Sequence, residues 1–274
     1  MRLLERYILE IISLSGGKSI SLISEYLNKN RKALTKIIKG GDSINFDPFD
    51  DYADLDNFVY RCGVGLKNLG LGNSRVGYEI PGENFVLKVA KSEVGVQANL
   101  DEIDISNAEH GKSAQDIFVK KIEYDENGME SGRPYWVICE KVVPFALIDD
   151  SDVLNIGKKV FPTIWNMVSD GDDCKKDPFS FRFLLEDVFS IFASNITAGI
   201  DSKKAFYSAV VNCGVECIDF EDVVFYEDFN KFNQAFTYIR SHDMEGIGNL
   251  GLDNIKNPSP ESIKILDFSI DATV

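Results

Sequence analysis

The hydrophobic positions at the start of the chain recur at helical spacing. Apolar residues between 2 and 14 fall three and four positions apart and are followed by two glycines, which predicts a first helix that ends there. A second apolar stripe between about Ser21 and Ile38, followed by Gly40-Gly41, predicts a second helix. The sequence therefore predicts a helical hairpin over residues 1–41.

The apolar period then changes from that of helices to that of strands. Residues 42–57 (DSINFDPFDDYADLDN) are acidic and have the composition of a linker. Short apolar segments separated by turn residues follow, and they predict a small sheet domain over residues 58–145. The expected strands are Arg75–Ile80, Asn84–Ala90, Asp116–Tyr124 and Tyr135–Val143, with turns at 81–84 and 125–128 and one helix at about Gly95–Ile105.

The remaining residues, 146–274, are predicted to be mainly helical. Amphipathic helices are expected near 151–168, 179–198, 202–212 and 219–240. A loop over residues 242–261 then leads to a short apolar strand, Ile263–Phe268. Together these patterns predict an α+β protein.

The predicted hairpin and the rest of the chain carry net charges of opposite sign. The net charge is −15, yet residues 1–40 hold 8 Lys+Arg against 3 Asp+Glu. An acidic body repels phosphate backbones, which argues against nucleic acid as a general partner. The hairpin is expected to cap a larger domain. Alternatively, it serves as an arm that docks on an acidic protein partner or binds nucleic acid.

Composition also excludes several other classes. No apolar run reaches the length of a membrane span, and Glu5 and Glu10 interrupt the first apolar stretch, so we expect a cytoplasmic protein without a secretory signal. The 2 histidines disfavour a multi-histidine metal site. The spacing of Cys213 and Cys217 lacks a second ligand pair and predicts two thiols.

A glycine-bearing segment and a lysine carry the first candidate chemistry. The run GLGNSRVG over residues 70–77 is predicted to turn between strands, where backbone N–H groups can approach a phosphate. Lys88 lies within the apolar strand FVLKVA, and a lysine is costly to bury unless it meets an anion. Glu102 on the next helix could pair with it. Alternatively, Lys88 faces solvent and Glu102 belongs to a solvated acidic helix face.

A second set of candidates lies near the C-terminal strand. Asp243 and Asn249 fall in a polar loop, and Asp267 ends the apolar run IKILD. Carboxylate and amide oxygens suit Mg²⁺, which keeps a few protein ligands beside phosphates and water. Alternatively, Asn249 serves a loop conformation and Asp267 a turn or cap.

With these motifs in this order, the sequence resembles the protein-kinase-like superfamily. The runs GLGNSRVGYEI, NFVLKVAKSEVGVQANLDE, GNLG and ILDFS are most similar to the compact kinase-like proteins that tailed bacteriophages encode. The resemblance implies a two-lobe fold with a small antiparallel sheet lobe, a helical lobe and the N-terminal hairpin in addition. It also implies ATP and Mg²⁺ as cofactors, and the host cytoplasm as location if a phage encodes the chain.

The resemblance also implies a role for each candidate residue. Lys88 would contact the α- and β-phosphates and pair with Glu102, Asp243 would accept or orient the proton of the attacking hydroxyl, and the metal ligands would be Asn249 and Asp267. Backbone groups from Glu140 to Val142 would face adenine. The turn that covers the phosphates would comprise Gly70, Gly72, Asn73 and Ser74.

Two functions remain open at this stage. Lys88, Asn249 and Asp267 favour an ATP- and Mg²⁺-dependent phosphotransferase that acts on a protein or small-molecule hydroxyl. The alternative is a catalytically inactive, pseudokinase-like binding or virion-associated module. It is favoured by the six-residue step from Asp243 to Asn249, where kinases have five, and by the seven residues after Asp267, which leave no room for the usual peptide-binding helices.

Overall fold

The computed structural model describes residues 18–41, 52–71, 74–107, 119–144, 148–168, 177–214, 250–252 and 263–265. They form an α+β protein that divides into two compact units. The first unit contains residues 1–108 and 120–141, and the second contains residues 109–119 and 142–274. The described part of the predicted hairpin and most of the predicted sheet domain therefore lie in the first unit, whereas residues 109–119 and 142–145 of that predicted domain belong to the second.

The second predicted helix of the hairpin consists of two segments. Residues 18–29 form α1 and Arg31–Gly41 form α2, with a break at Asn30. The Asn30 carbonyl accepts a hydrogen bond from the N–H of Ala33 (2.9 Å), and its side-chain Nδ2 donates to the carbonyl of Tyr26 (2.8 Å). Asn competes in this way for backbone partners and favours helix ends. The first predicted helix, over residues 2–14, lies outside the described residues.

The linker prediction is wrong in its last part. Tyr52–Tyr60 form helix α3, because Leu55, Phe58 and Val59 recur at helical spacing and are buried. The hydroxyl of Tyr26 donates to the carbonyl of Phe58 (2.9 Å), which ties α1 to α3.

A five-stranded antiparallel sheet follows, in the order β1-β2-β3-β5-β4. Helix α4 (Glu93–Asn107) connects β3 to β4, and the short helix α5 (Glu126–Glu130) connects β4 to β5. The strands are β1 (Lys67–Leu71), β2 (Arg75–Glu79), β3 (Phe85–Ala90), β4 (Lys121–Tyr124) and β5 (Trp136–Glu140).

Most of the sheet predictions are confirmed, with four corrections. The strand predicted at Tyr135–Val143 ends at Glu140, and Val143 belongs to a separate strand of another sheet. Strand β1 was not predicted. The predicted turn at 125–128 is the start of a helix, because the Asp125 side chain accepts the N–H of Gly128 (2.9 Å) and caps α5. The strand predicted from Asp116 begins only at Lys121 within the described residues.

The two faces of the sheet have different partners because side chains alternate along a strand. Leu87 and Val89 of β3 belong to one apolar cluster with the N-terminal helices, whereas Lys88 points to the opposite face, where α4 packs. The helices contribute Ile23, Leu27, Leu34, Ile38, Leu55, Phe58 and Val59 to that cluster. The apolar face of the sheet is thus covered by α1–α3.

One arginine fixes α2 to the end of the sheet. Arg31 Nε lies 3.2 Å from Asp125 Oδ2, and Arg31 Nη2 donates to the carbonyl of Arg133 (2.8 Å). The guanidinium carbon lies 4.2 Å from the centre of the Tyr135 ring, a cation–π contact. Asp125 is fully buried and also accepts the N–H of Tyr135 (3.0 Å). The basic hairpin helix is therefore part of the sheet unit.

The second unit contains four helices among the described residues and a three-stranded antiparallel sheet, β6-β7-β8. The predicted helix 151–168 is divided, because Phe161 ends α6 and Pro162 begins α7. The predicted loop 242–261 contains a strand, β7. The elements are α6 (Asp150–Val160), α7 (Pro162–Met167), α8 (Pro178–Thr197), α9 (Ser202–Asn212), β6 (Val143–Pro144), β7 (Leu250–Leu252) and β8 (Ile263–Ile265).

The helices α8 and α9 confirm their predictions, and α8 packs against both α6 and α9. The predicted helix 219–240 lies outside the described residues, as does Cys217. Cys213 is half-buried at the end of α9 and is a free thiol.

Candidate functional site

Lys88 and Glu102 form an ion pair beneath the sheet. Lys88 lies in the middle of β3, with Gly77 and Val137 as its neighbours on the adjacent strands. Its Nζ lies 3.0 Å from Oε1 of Glu102, which belongs to α4. The Lys88 side chain is 13% exposed and that of Glu102 is 1% exposed. Neither side chain therefore stands on a solvated surface.

Two further cations contact the same carboxylate, and the sequence prediction missed both roles. Nη2 of Arg75 lies 2.7 Å from Glu102 Oε1, and Nζ of Lys121 lies 3.1 Å from Oε2. We call Arg75, Lys88, Lys121 and Glu102 the Glu102 cluster. Its cations come from β2, from the adjacent β3 and from β4, which β5 separates from β3, and their side chains are mostly buried. The available signal was a charged residue within each strand, but only the register shows that the three meet.

The electrostatics of the cluster favour a charged Glu102. Burial raises the pKa of a carboxyl group, but the charges of Arg75, Lys121 and Lys88 outweigh that effect and hold the pKa of Glu102 well below its ordinary value. The carboxylate is therefore ionised at any physiological pH. A buried carboxylate is tolerated in this way because it is paired.

A buried asparagine supports Arg75 from behind. Asn99, on α4, accepts a hydrogen bond at Oδ1 from Nη1 of Arg75 (3.3 Å) and donates from Nδ2 to the carbonyl of Pro134 (3.1 Å). Asn99 is completely buried. Its amide fixes the guanidinium plane, so that the other arm of Arg75 points to Glu102.

The glycine-bearing segment lies close to the start of α4. Ser74 accepts the N–H of Lys91 at its carbonyl (3.1 Å), and a Cβ placed on Gly95 would meet the Ser74 carbonyl oxygen at 2.1 Å. Gly70 has φ +133°, a value that L side chains rarely adopt, and lies at an irregularity of strand β1 and not in the turn itself. Gly72 and Asn73 lie outside the described residues.

The segment after β5 has part of its backbone engaged in the sheet. The N–H of Glu140 donates to the carbonyl of Lys120 (2.9 Å), and the N–H of Lys141 donates to that of Asn84 (2.8 Å). The N–H groups of Glu140 and Lys141 are therefore occupied by strand contacts. Val142, the other end of the predicted adenine-facing segment, is half-buried.

The predicted proton acceptor and metal ligands, Asp243, Asn249 and Asp267, lie outside the described residues. The short strands that adjoin two of them in the sequence are paired: Leu250 of β7 is the antiparallel partner of Ile265 of β8. Among the described residues, no group of three or more His, Cys, Asp or Glu side chains could hold a metal ion.

Comparison of the chain with protein-family models, with curated proteins and with solved structures gave no significant match. Over the part of the chain that the structure describes, no helix has both the length and the apolar character to cross a membrane.

Proposed function

We propose that the chain is a kinase-like phosphotransferase that binds ATP with Mg²⁺ and transfers the γ-phosphoryl group to a hydroxyl of a protein or a small molecule. The observation that carries the proposal is the ion pair between Lys88 and Glu102, at 3.0 Å and almost completely buried. A strand lysine held by a helix carboxylate has its ammonium group positioned for a phosphate oxygen.

The order of the elements supports the same function. A glycine-bearing connection joins β1 to β2, the lysine lies on β3, the glutamate lies on the following helix, and β5 leads into the segment from Glu140 to Val142. This is the order that the resemblance to kinase-like proteins implies. The close approach of Ser74 to Gly95 holds the end of the glycine-bearing connection beside the helix that carries Glu102.

In this proposal each residue has a chemical task. Lys88 neutralises charge on the α- and β-phosphates, while Asp243 orients the attacking hydroxyl and accepts its proton. Asn249 and Asp267 would hold Mg²⁺, which would neutralise part of the phosphate charge. Val142 offers backbone groups to adenine. Rate acceleration comes mainly from positioning and electrostatic stabilisation.

The test is stabilisation of the protein by ATP, measured as a shift of the unfolding midpoint with and without Mg²⁺. Ligand at a hundred times its Kd stabilises by about 2.7 kcal/mol. Lys88→Met should abolish most of this gain, whereas Lys120→Met, at an exposed position, should leave it intact. If Lys88→Met is stabilised by ATP as strongly as the wild type, the phosphate-site assignment is wrong.

A second candidate, a non-catalytic kinase-like binding module, is favoured by the surface of α2. Five lysines of the hairpin are exposed while α2 is held on the sheet by Arg31: Lys18, Lys29, Lys32, Lys36 and Lys39. A rigid basic surface on an acidic protein suits an acidic protein partner. ATP binding without transfer of radiolabelled phosphate to any protein of a host lysate would support this module over the enzyme.

A further inference from the structure

We propose that Arg75 and Lys121 are positioning residues of the nucleotide site, which hold Glu102 in place and neutralise it so that Lys88 can bind phosphate. This inference rests on the proposed function and adds two residues to it. Neither contact follows from the lysine–glutamate pair alone.

The three cations contact Glu102 through both of its carboxylate oxygens. Oε1 of Glu102 contacts both Arg75 (2.7 Å) and Lys88 (3.0 Å), and Oε2 contacts Lys121 (3.1 Å). The shortest of these contacts belongs to Arg75, and Arg75 is itself oriented by the buried Asn99. Glu102 therefore keeps a contact at each oxygen when Lys88 turns to another anion.

The positive charge that Arg75 and Lys121 add to the Glu102 cluster favours binding of a phosphate ligand. The net charge of one lysine paired with one glutamate is zero, and an unpaired carboxylate repels a nearby polyphosphate. Arg75 and Lys121 leave the Glu102 cluster with an excess of positive charge, and this remains so when the neighbouring Asp101 is counted. The cluster thus attracts a polyanion that the acidic protein as a whole would repel.

The same contacts predict how the site responds to pH. Burial opposes the charge of Glu102, and Arg75 is the largest of the three cationic influences that lower its pKa. Its other charged or titratable neighbours are Lys88, Lys121, Asp101 on its own helix and the buried thiol of Cys139 on β5. Loss of Arg75 therefore raises the pKa of Glu102. The carboxylate then becomes protonated at a pH at which the wild type remains charged.

The experiment measures the Kd of Mg·ATP between pH 5 and pH 8, by calorimetry, for the wild type and four variants. We expect Arg75→Met and Lys121→Met to weaken binding about tenfold or more at neutral pH, as expected for loss of a hydrogen bond to a charged group. We also expect the ratio of the Arg75→Met Kd to the wild-type Kd to rise as the pH falls, because a protonated Glu102 no longer holds the Lys88 ammonium in place. Arg75→Lys should recover part of the affinity, and it replaces Arg75→Met if that variant does not fold.

Lys120→Met is the matched control, because Lys120 is exposed and adjoins Lys121 in the chain. Its affinity and its pH profile should equal those of the wild type. If Arg75→Met and Lys121→Met bind Mg·ATP as the wild type does, or if Arg75→Met loses affinity by the same factor at every pH, the positioning role is overturned and the proposed function stands. If the wild type does not bind Mg·ATP, the proposed function itself is overturned.

Discussion

Replacement of Arg31 by methionine should loosen the N-terminal helices from the sheet. The change keeps an aliphatic side chain over Tyr135 but removes the ion pair with Asp125 and the hydrogen bond to the Arg133 carbonyl. Because Asp125 is fully buried, its charge is left with backbone donors only, the N–H groups of Gly128 and Tyr135.

The expected cost can be worked from these contacts. Removal of one partner from a buried ion pair costs about 3–5 kcal/mol. The Arg31 side chain is 25% exposed and Asp125 keeps two hydrogen bonds, so we expect a smaller cost than for a fully buried pair, about 2–4 kcal/mol. With an ordinary urea dependence, this loss shifts the unfolding midpoint by about 1–2 M.

The assay uses tryptophan fluorescence during urea unfolding. The chain has 2 tryptophans, Trp136 on β5 in the first unit and Trp165 in the second. In a Trp165→Phe background, Trp136 alone reports on the unit that contains Arg31. Lys32→Met, at the exposed neighbouring position on α2, is the control and should change stability by less than about 0.5 kcal/mol.

A double-mutant cycle with Asp125→Asn then isolates the ion pair. We expect a coupling energy of about 1–3 kcal/mol between the two positions. If Arg31→Met costs no more than Lys32→Met, or if the cycle shows no coupling, then α2 is not fixed to the sheet by this arginine.

Two other predictions concern a glycine and a thiol. Gly95→Ala should destabilise the first unit by about 1–3 kcal/mol, because the added Cβ meets the Ser74 carbonyl oxygen. Gly77→Ala, whose added Cβ makes only ordinary contacts, is the control in the same urea assay. Equal stability of the two variants would contradict the close approach of Ser74 to Gly95. Burial, followed by the charge of Asp187, raises the pKa of the Cys213 thiol to about 11. At pH 8 this thiol should therefore be alkylated about tenfold more slowly than an ordinary cysteine, and Asp187→Asn should speed the reaction. Peptide mass spectrometry measures both rates, and alkylation at the rate of an unfolded cysteine would show the prediction to be wrong.

Periodicity predicted the elements with long or strongly alternating patterns and missed those with conflicting signals. Helix α8 and strand β3 follow their patterns closely. Strand β1 escaped prediction because Asn68 and Gly70 are poor strand formers, and the sheet tolerates them at an irregular edge. Helix α3 was not predicted because its aspartates are typical of a linker, although its apolar residues have helical spacing.

The candidate site was predictable only in part, for a geometric reason. The strand lysine and the helix glutamate stand near each other in sequence, and a strand followed by a helix brings such residues together. Arg75 and Lys121 are separated from Glu102 by 27 and 19 positions. Their meeting depends on the strand order β2-β3-β5-β4 and on register, and a shift of one residue would turn either side chain to the other face.

The docking of α2 by Arg31 also sets an order of events during synthesis. Arg31 and its partner Asp125 are 94 residues apart, and its partner carbonyl at Arg133 is 102 residues away. At a translation rate of about 5–20 residues per second, the residues of α2 are therefore synthesised about 5–20 s before their partners. During that interval the apolar side of the N-terminal helices lacks Trp136 and Ile138, which complete their core. The nascent chain consequently presents these helices as a segment that chaperones can hold until β5 is made.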